Sequence, residues 1–344
     1  MHPLAVELKQ NLSDILFNQL KCEIDTHIMV IFDQQSPLNK IVTQGYEDVL
    51  LDHAAKTFLD FDAHTPEQLM TKIDDLSSGD AVILVQSASF RVSTYRWRLE
   101  LFDRKLKCVE HMRLSYMTPE EFPTYIHSLK DDSSFVQPTA RKVAEKLENA
   151  THIKVQCRGG SIFEIHSKME KPFVNDGDYL TEENVGGGYP IGEAFSEPVD
   201  ITQSNGEVEI YAYPGEDHKM RFTNTPFKMK IVNGNMVSHD APVDFVPLIE
   251  MMKSENKDGQ IPVREFGLGL NRAITKENTL TEASAFERVT GLHLSLGMKH
   301  GVYQKKFKKN KEINQRFHVD IYPDVYKIWI DDQLIYQDGY YLVR

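Results

Sequence analysis

The chain has 344 residues and a formal net charge of -12, with an ordinary balance of apolar and charged side chains. That length is ample for two hydrophobic cores. The acidic balance argues against general affinity for nucleic acid or an acidic membrane surface, and no apolar run approaches the length that spans a bilayer.

Residues 4–20 (LAVELKQNLSDILFNQL) place apolar side chains at helical spacing and predict an amphipathic opening helix. HIMVIFD (27–33) reads as a short buried strand. A helix is expected around 44–58, and a second buried strand in AVILVQSAS (81–89). Between 90 and 150 further helices are expected, with a start signal in TPEEF (118–122) and a helical run in TARKVAEKLENA (139–150). Strands alternating with helices predict an α/β domain over 1–150 with a mostly parallel, Rossmann-like sheet. No GxGxxG follows the first strand and no P-loop is present, so a nucleotide site is not supported. Arg91 and Arg113 are candidates to approach an anion, with surface ion pairs as the plainer reading.

The character changes near 150. THIKVQCRG, SIFEIHS, EVEIYAYP, KMRFTNTP and FKMKIVNGNMV are β-rich, and Asn233-Gly234 is a hairpin signal. One helix is expected over roughly 243–256, and DVYKIWIDDQLIYQDGYYLV closes as two strands joined by a DDQ turn. Residues 151–344 therefore read as an α+β domain with a large, mostly antiparallel sheet. GGGYPIGEAFSEP (186–198) reads as a loop made mobile by glycine, with Pro190 and Pro198 stiffening either side of Glu193. The one dense basic run, KKFKKNK (305–311), reads as a solvated loop. Cys22, Cys108 and Cys157 lie far apart with no CxxC, which fits a reducing cytoplasm and no disulfide framework. The opening residues carry acids and no apolar core, so no signal peptide is expected.

The stretch from Glu265 to Asp320 concentrates the chemistry. Glu265 follows the hydrophobic IPV, and His293 lies within the alternating LHLSLG. His318 and Asp320 stand two apart in FHVDI, so on a strand they share a face. Carboxylates and imidazoles aimed from several strands, with no thiolate, are the ligand chemistry of a hard-to-borderline divalent metal. Each residue also has a bland reading. Glu265 beside Arg264 suits a surface ion pair, His293 between leucines suits a core histidine, and His318 with Asp320 suits a solvent-facing pair.

The order GEAFSEP, EFGLGLN, GLHLSLG and HVD resembles the metalloaminopeptidases of the aminopeptidase T and aminopeptidase S family, across most of 151–344. The resemblance implies metal ligands at Glu193, Glu265, His293, His318 and Asp320, holding two divalent ions such as zinc, cobalt or manganese. Three acids and two neutral imidazoles leave the four positive charges of such a pair partly uncompensated, which favours a bound hydroxide able to attack a peptide carbonyl. It further implies a cytoplasmic homodimer that releases N-terminal residues from a peptide or another small amino-acid-derived substrate, with no nucleic-acid or membrane partner.

Glu287 falls near an acid of the family's third motif. His300 stands where the family has a tyrosine, with Tyr303 three residues on. Either is a candidate hydrogen-bond donor to a developing oxyanion. The same fold is similar to that of the mononuclear iron 2,5-dihydroxypyridine 5,6-dioxygenases. This implies an alternative Fe(II) site, with His293 or His300 completing an altered facial triad. A third reading is a homologue that binds a peptide or modified amino acid without turnover, within a biosynthetic pathway.

Overall fold

The computed structural model describes residues 3–92, 95–179, 185–256, 258–300, 303 and 317–343. The basic run at 305–311 and the side chain of Arg91 lie outside what is described. The chain forms two compact units. The first takes Met1–Gln137, Asn175–Ile191 and Asn271–Phe286, and the second takes Pro138–Val174, Gly192–Leu270 and Glu287–Arg344. Two short returns, 175–191 and 271–286, thus belong with the N-terminal part.

The first unit opens with α1 (Pro3–Asp14), β1 (Ile28–Phe32), α2 (Pro37–Val49), β2 (Lys56–Asp60), α3 (Pro66–Asp74) and β3 (Ala81–Val85). A two-stranded ribbon, β4 (Arg91–Val92) and β5 (Tyr95–Arg96), precedes α4 (Trp97–Asp103), β6 (Lys107–His111) and α5 (Phe122–Ser128). Strands β2, β1, β3 and β6 pair in parallel in that spatial order. β1 and β3 are buried along their whole length, which is why both read as unbroken apolar runs.

The helix expected at 44–58 is displaced. It starts at Ser36, whose hydroxyl accepts the Asn39 N–H, with Pro37 in the first turn, and it ends at Val49. Residues 56–60 are strand β2 instead, since they pair with β1. The strand at 107–111 was not foreseen either.

The chain continues through α6 (Ser133–Asn149), β7 (Ile153–Cys157), β8 (Ile162–Ile165), β9 (Phe173–Asn175), β10 (Gly186–Tyr189) and β11 (Glu193–Ser196). β10 corrects the mobile-loop reading of the glycine run. It is a buried strand that pairs in parallel with β6 and completes the first sheet. A Cβ on Gly186 would lie 1.9 Å from the Cys108 carbonyl oxygen, so that glycine permits close approach of two backbones, not mobility.

The remaining elements are β12 (Ser204–Pro214), β13 (Met220–Val232), β14 (Asn235–His239), α7 (Val246–Ser254), β15 (Ile261–Gly269), α8 (Ala283–Phe286), β16 (Gly291–Gly297), β17 (His318–Pro323), β18 (Val325–Ile330), β19 (Gln333–Gln337) and β20 (Tyr340–Tyr341). KMRFTNTP and the following FKMKIV merge into the single strand β13. Asn233 and Gly234 both take positive φ and close the β13–β14 hairpin, as the dipeptide predicts. Asp331 and Asp332 do the same between β18 and β19, and β20 adds a third strand there.

The second sheet is large and mostly antiparallel, and β12 through β17 pair in sequence with β12 also pairing β17. These strands therefore close into a barrel, which removes their free edges. Its core gathers Phe266, Leu268, Leu292, Leu294 and Ile321 with α6 and α7 residues such as Val143, Leu147 and Ile249. The three cysteines are buried and free. No described helix is long and apolar enough to cross a membrane.

Candidate metal centre

Strands β11, β15, β16 and β17 lie side by side, all antiparallel. Phe195 faces Gly267, which faces His293 on its other side, while Ser295 faces Asp320 and Gly297 faces His318. Because side chains alternate along a strand, Glu193, Glu265, His293, His318 and Asp320 emerge on one face. The β15–β16 register slips between Val263 and Phe266, at Glu265, whose N–H donates to Ser295 Oγ at 2.9 Å.

Two groups result, and Glu265 belongs to both. His293 Nε2 lies 3.2 Å from Glu265 Oε1 and 3.3 Å from Glu193 Oε1. His318 Nε2 lies 3.7 Å from Glu265 Oε2 and 3.4 Å from Asp320 Oδ1. Charge-assisted hydrogen bonds between such groups run at about 2.7–2.9 Å. Two ligands about 2.1 Å from a tetrahedral ion sit about 3.4 Å apart. The spacings of 3.3, 3.4 and 3.7 Å suit the second figure, while the 3.2 Å between His293 and Glu265 is also within hydrogen-bond reach.

Glu265 Oε2 and Asp320 Oδ1 are buried with no hydrogen-bond partner among the described residues, as carboxylate oxygens are when a cation takes the donor's place. His318 Nδ1 sits 3.0 Å from the Met298 carbonyl, an arrangement that puts the proton on Nδ1 and leaves Nε2 as the ligand atom. His293 lacks this support, since its Nδ1 is buried without a partner among the described residues. The residues present thus fit a hard-to-borderline dication at either group.

Without ions the cluster holds its charge by proton sharing. Burial pushes Glu193 up, but the Arg288 guanidinium and the His293 hydrogen bond outweigh it and leave the carboxyl below its ordinary range. Burial raises Glu265. Burial opposes the charge on His318, yet Asp320 and Glu265 raise the imidazole to about 10. Asp320 is correspondingly held down to about 2, with the His318 imidazolium outweighing burial. Burial carries Glu287 up to about 8 despite Arg288.

Two participants were not singled out from sequence. Arg288 is buried, with Nη1 at 2.6 Å from Glu193 Oε2 and 3.0 Å from Glu287 Oε2, so it ties the two acids together. Only its position beside Glu287 hints at this. Glu197 is fully buried, four residues after Glu193 in the same motif, and its Oε1 accepts the His300 N–H at 2.7 Å. Glu197 therefore anchors the segment whose Met298 carbonyl orients His318.

The His300 ring stands 5.4 Å from the His318 ring, edge to face. Tyr303 donates its hydroxyl to the Lys171 carbonyl at 2.9 Å. Arg113 pairs with the buried Glu282 in the first unit. A further group, His152, Glu164 and His166, gathers on the β7–β8 hairpin, but more exposed to solvent.

No family model matches the chain, and no curated protein matches it. Among solved structures it is similar to 2,5-dihydroxypyridine dioxygenase from Pseudomonas putida KT2440, at a TM-score of 0.62 and 12% identity over 99% of this chain and 98% of that one. It is also similar to wild-type AmpT from Thermus thermophilus, at a TM-score of 0.59 and 11% identity over 98% and 99% of the two chains. At such identities the likeness shows a shared fold.

Proposed function

We propose, on the premise of a fold shared with a dioxygenase and with AmpT, that this chain is a metal-dependent hydrolase of the aminopeptidase type. The observation that carries the reading is the make-up of the two ligand groups. Each contains one imidazole and two carboxylates, and they share Glu265. An oxygen-activating iron site of the facial-triad kind wants two imidazoles and one carboxylate on a single ion. A bridging acid between two one-histidine groups suits a pair of ions instead.

Glu265 would span the pair, with Glu193 and His293 completing one side and His318 and Asp320 the other. When bound, two such ions supply Lewis-acid polarisation of a carbonyl and an activated water. Arg288 fixes the Glu193 carboxylate through Oε2, leaving Oε1 directed at His293. Glu287, tied to Glu193 through Arg288, is the acid outside the two ligand groups assigned to take and return a proton. An open position on one of the ions would receive a free α-amine of the substrate, which supports removal of N-terminal residues. The homodimer and the cytoplasmic setting belong to the same proposal.

One observation favours a second reading. His300 puts another ring beside His318, so His318, His300 and Asp320 supply the residue types of a facial triad for one Fe(II). Elemental analysis of protein purified with and without air separates the two, together with assays on free and N-acetylated dipeptides. Two ions per chain and cleavage of free dipeptides only are expected. One iron with oxygen consumption would replace the hydrolase by the oxygenase, and no bound metal would remove both.

A further inference from the structure

Phe195 follows Glu193 by two residues on β11, so its ring rises on the same face as the candidate ligands. Its cross-strand neighbour is Gly267, which offers no side chain to cover it. The Phe195 ring stands 4.8 Å from His300, and His300 stands 5.4 Å from His318. Phe195 also stacks on Phe173 at 5.8 Å and 21°, and the Tyr303 ring meets Phe173, Phe195 and His300 edge-on. Rings therefore run without a break from a candidate ligand out to Phe173, which is 38% exposed. Phe195 and His300 are themselves half-buried, and neither phenylalanine belongs to the barrel core.

Among the described residues, charges beside this strip pair with one another. Lys299 Nζ lies 3.0 Å from Glu170 and 3.9 Å from Glu197. A charged group laid on the strip would find Lys299, Glu170 and Glu197 already engaged with one another, whereas a flat apolar group would cover the exposed part of Phe173 and the remaining exposed area of the half-buried Phe195 and His300.

We infer that Phe195, His300 and Phe173 form the subsite for the side chain of the substrate's first residue, and that this side chain is aromatic. The inference rests on the hydrolase reading, in which the substrate's amine is held at the metal centre and its first side chain extends from there along the strip.

Amino alcohols test it, because they carry the free amine and the side chain but no bond to cleave. Calorimetry on the zinc-loaded protein should show L-phenylalaninol binding about tenfold or more tighter than L-alaninol or L-lysinol. Phe195→Ala and the more exposed Phe173→Ala should each shrink that ratio, and Phe195→Leu should keep part of it. A ratio near one in the native protein, or one unchanged in a folded Phe173→Ala and Phe195→Leu pair, overturns the subsite. Turnover of Phe-Ala and Ala-Ala is scored separately. An aromatic preference in binding without turnover of either dipeptide upholds the subsite and removes the hydrolase, and turnover without preference does the reverse.

Discussion

Gly267 lies directly across from His293, and a Cβ on it would fall 1.9 Å from the His293 Nε2 atom. The imidazole thus occupies the space a side chain would need, and Nε2 is the atom turned toward Glu193 and Glu265. Gly267→Ala is expected to push the ring out of the site. The added methyl should cost about 1–3 kcal/mol of stability. More tellingly, bound metal should fall while the rest of the barrel keeps its near-ultraviolet circular dichroism. Full metal content in a folded Gly267→Ala protein would mean that His293 is not a ligand.

Glu265 touches both groups, whereas Asp320 and Glu193 each touch one. Glu265→Gln should therefore lose most of both ions and all hydrolysis, while Asp320→Asn should retain part of the metal. The variant should still fold, because burial already disfavours the Glu265 charge in the metal-free state and a neutral amide removes that penalty. Inductively coupled plasma analysis beside a thermal melt checks this. Equal metal loss in the two variants would argue against a bridging role for Glu265.

The site was legible in the sequence to the extent that strand parity controls it. His318 and Asp320 two apart, and His293 in an alternating run, fix faces without knowledge of the fold. What local sequence does not carry is which strands become neighbours. Closure of β12 onto both β13 and β17 is a long-range pairing, so the barrel was not foreseen within the large antiparallel sheet. The glycine run at 186–188 misled for a related reason. Glycine marks both mobile loops and tight backbone contacts, and only the partner strand β6 decides between them. Arg288 escaped notice because its meaning lies in Glu193, distant in sequence and 2.6 Å from it in the fold.

Above about pH 6.5 the metal-free protein should lose stability as pH rises, and metal should reverse the slope. His318 moves from an ordinary 6.5 to about 10 in the fold. A raised imidazole contributes stability that is complete below 6.5 and is lost as pH climbs toward 10. Glu287 acts in the same direction. Its unfolded form ionises from about 4.5 while the folded carboxyl holds its proton to about 8, so stability drains across that window. Each group contributes a slope of up to about 1.4 kcal/mol per pH unit. Ions displace these protons, so metal affinity should increase with pH. Melting temperatures from pH 6.5 to 9, with chelator and with zinc, should diverge. A flat chelator curve over that range would contradict the charged cluster.

In the first unit the opposite sign is expected from His111. Its Nε2 meets the Tyr46 hydroxyl at 2.8 Å and its Nδ1 meets the Tyr125 hydroxyl at 2.7 Å, all three side chains being buried. A neutral ring accepts from one tyrosine and donates to the other. An imidazolium would lose the acceptor and carry an unpaired charge, and burial accordingly pushes His111 down to about 3. The unfolded chain takes up this proton from about pH 6.5 downward and the folded chain does not, so stability falls on acidification by about 1.4 kcal/mol per pH unit. His111→Gln preserves a donor and an acceptor without the titration. Urea unfolding of native and variant protein between pH 6.5 and 4.5 should therefore give a smaller acid loss in the variant. Taking the difference cancels the titration of the metal cluster, which the substitution does not touch. Parallel curves for the two proteins would show that the buried ring already carries its proton.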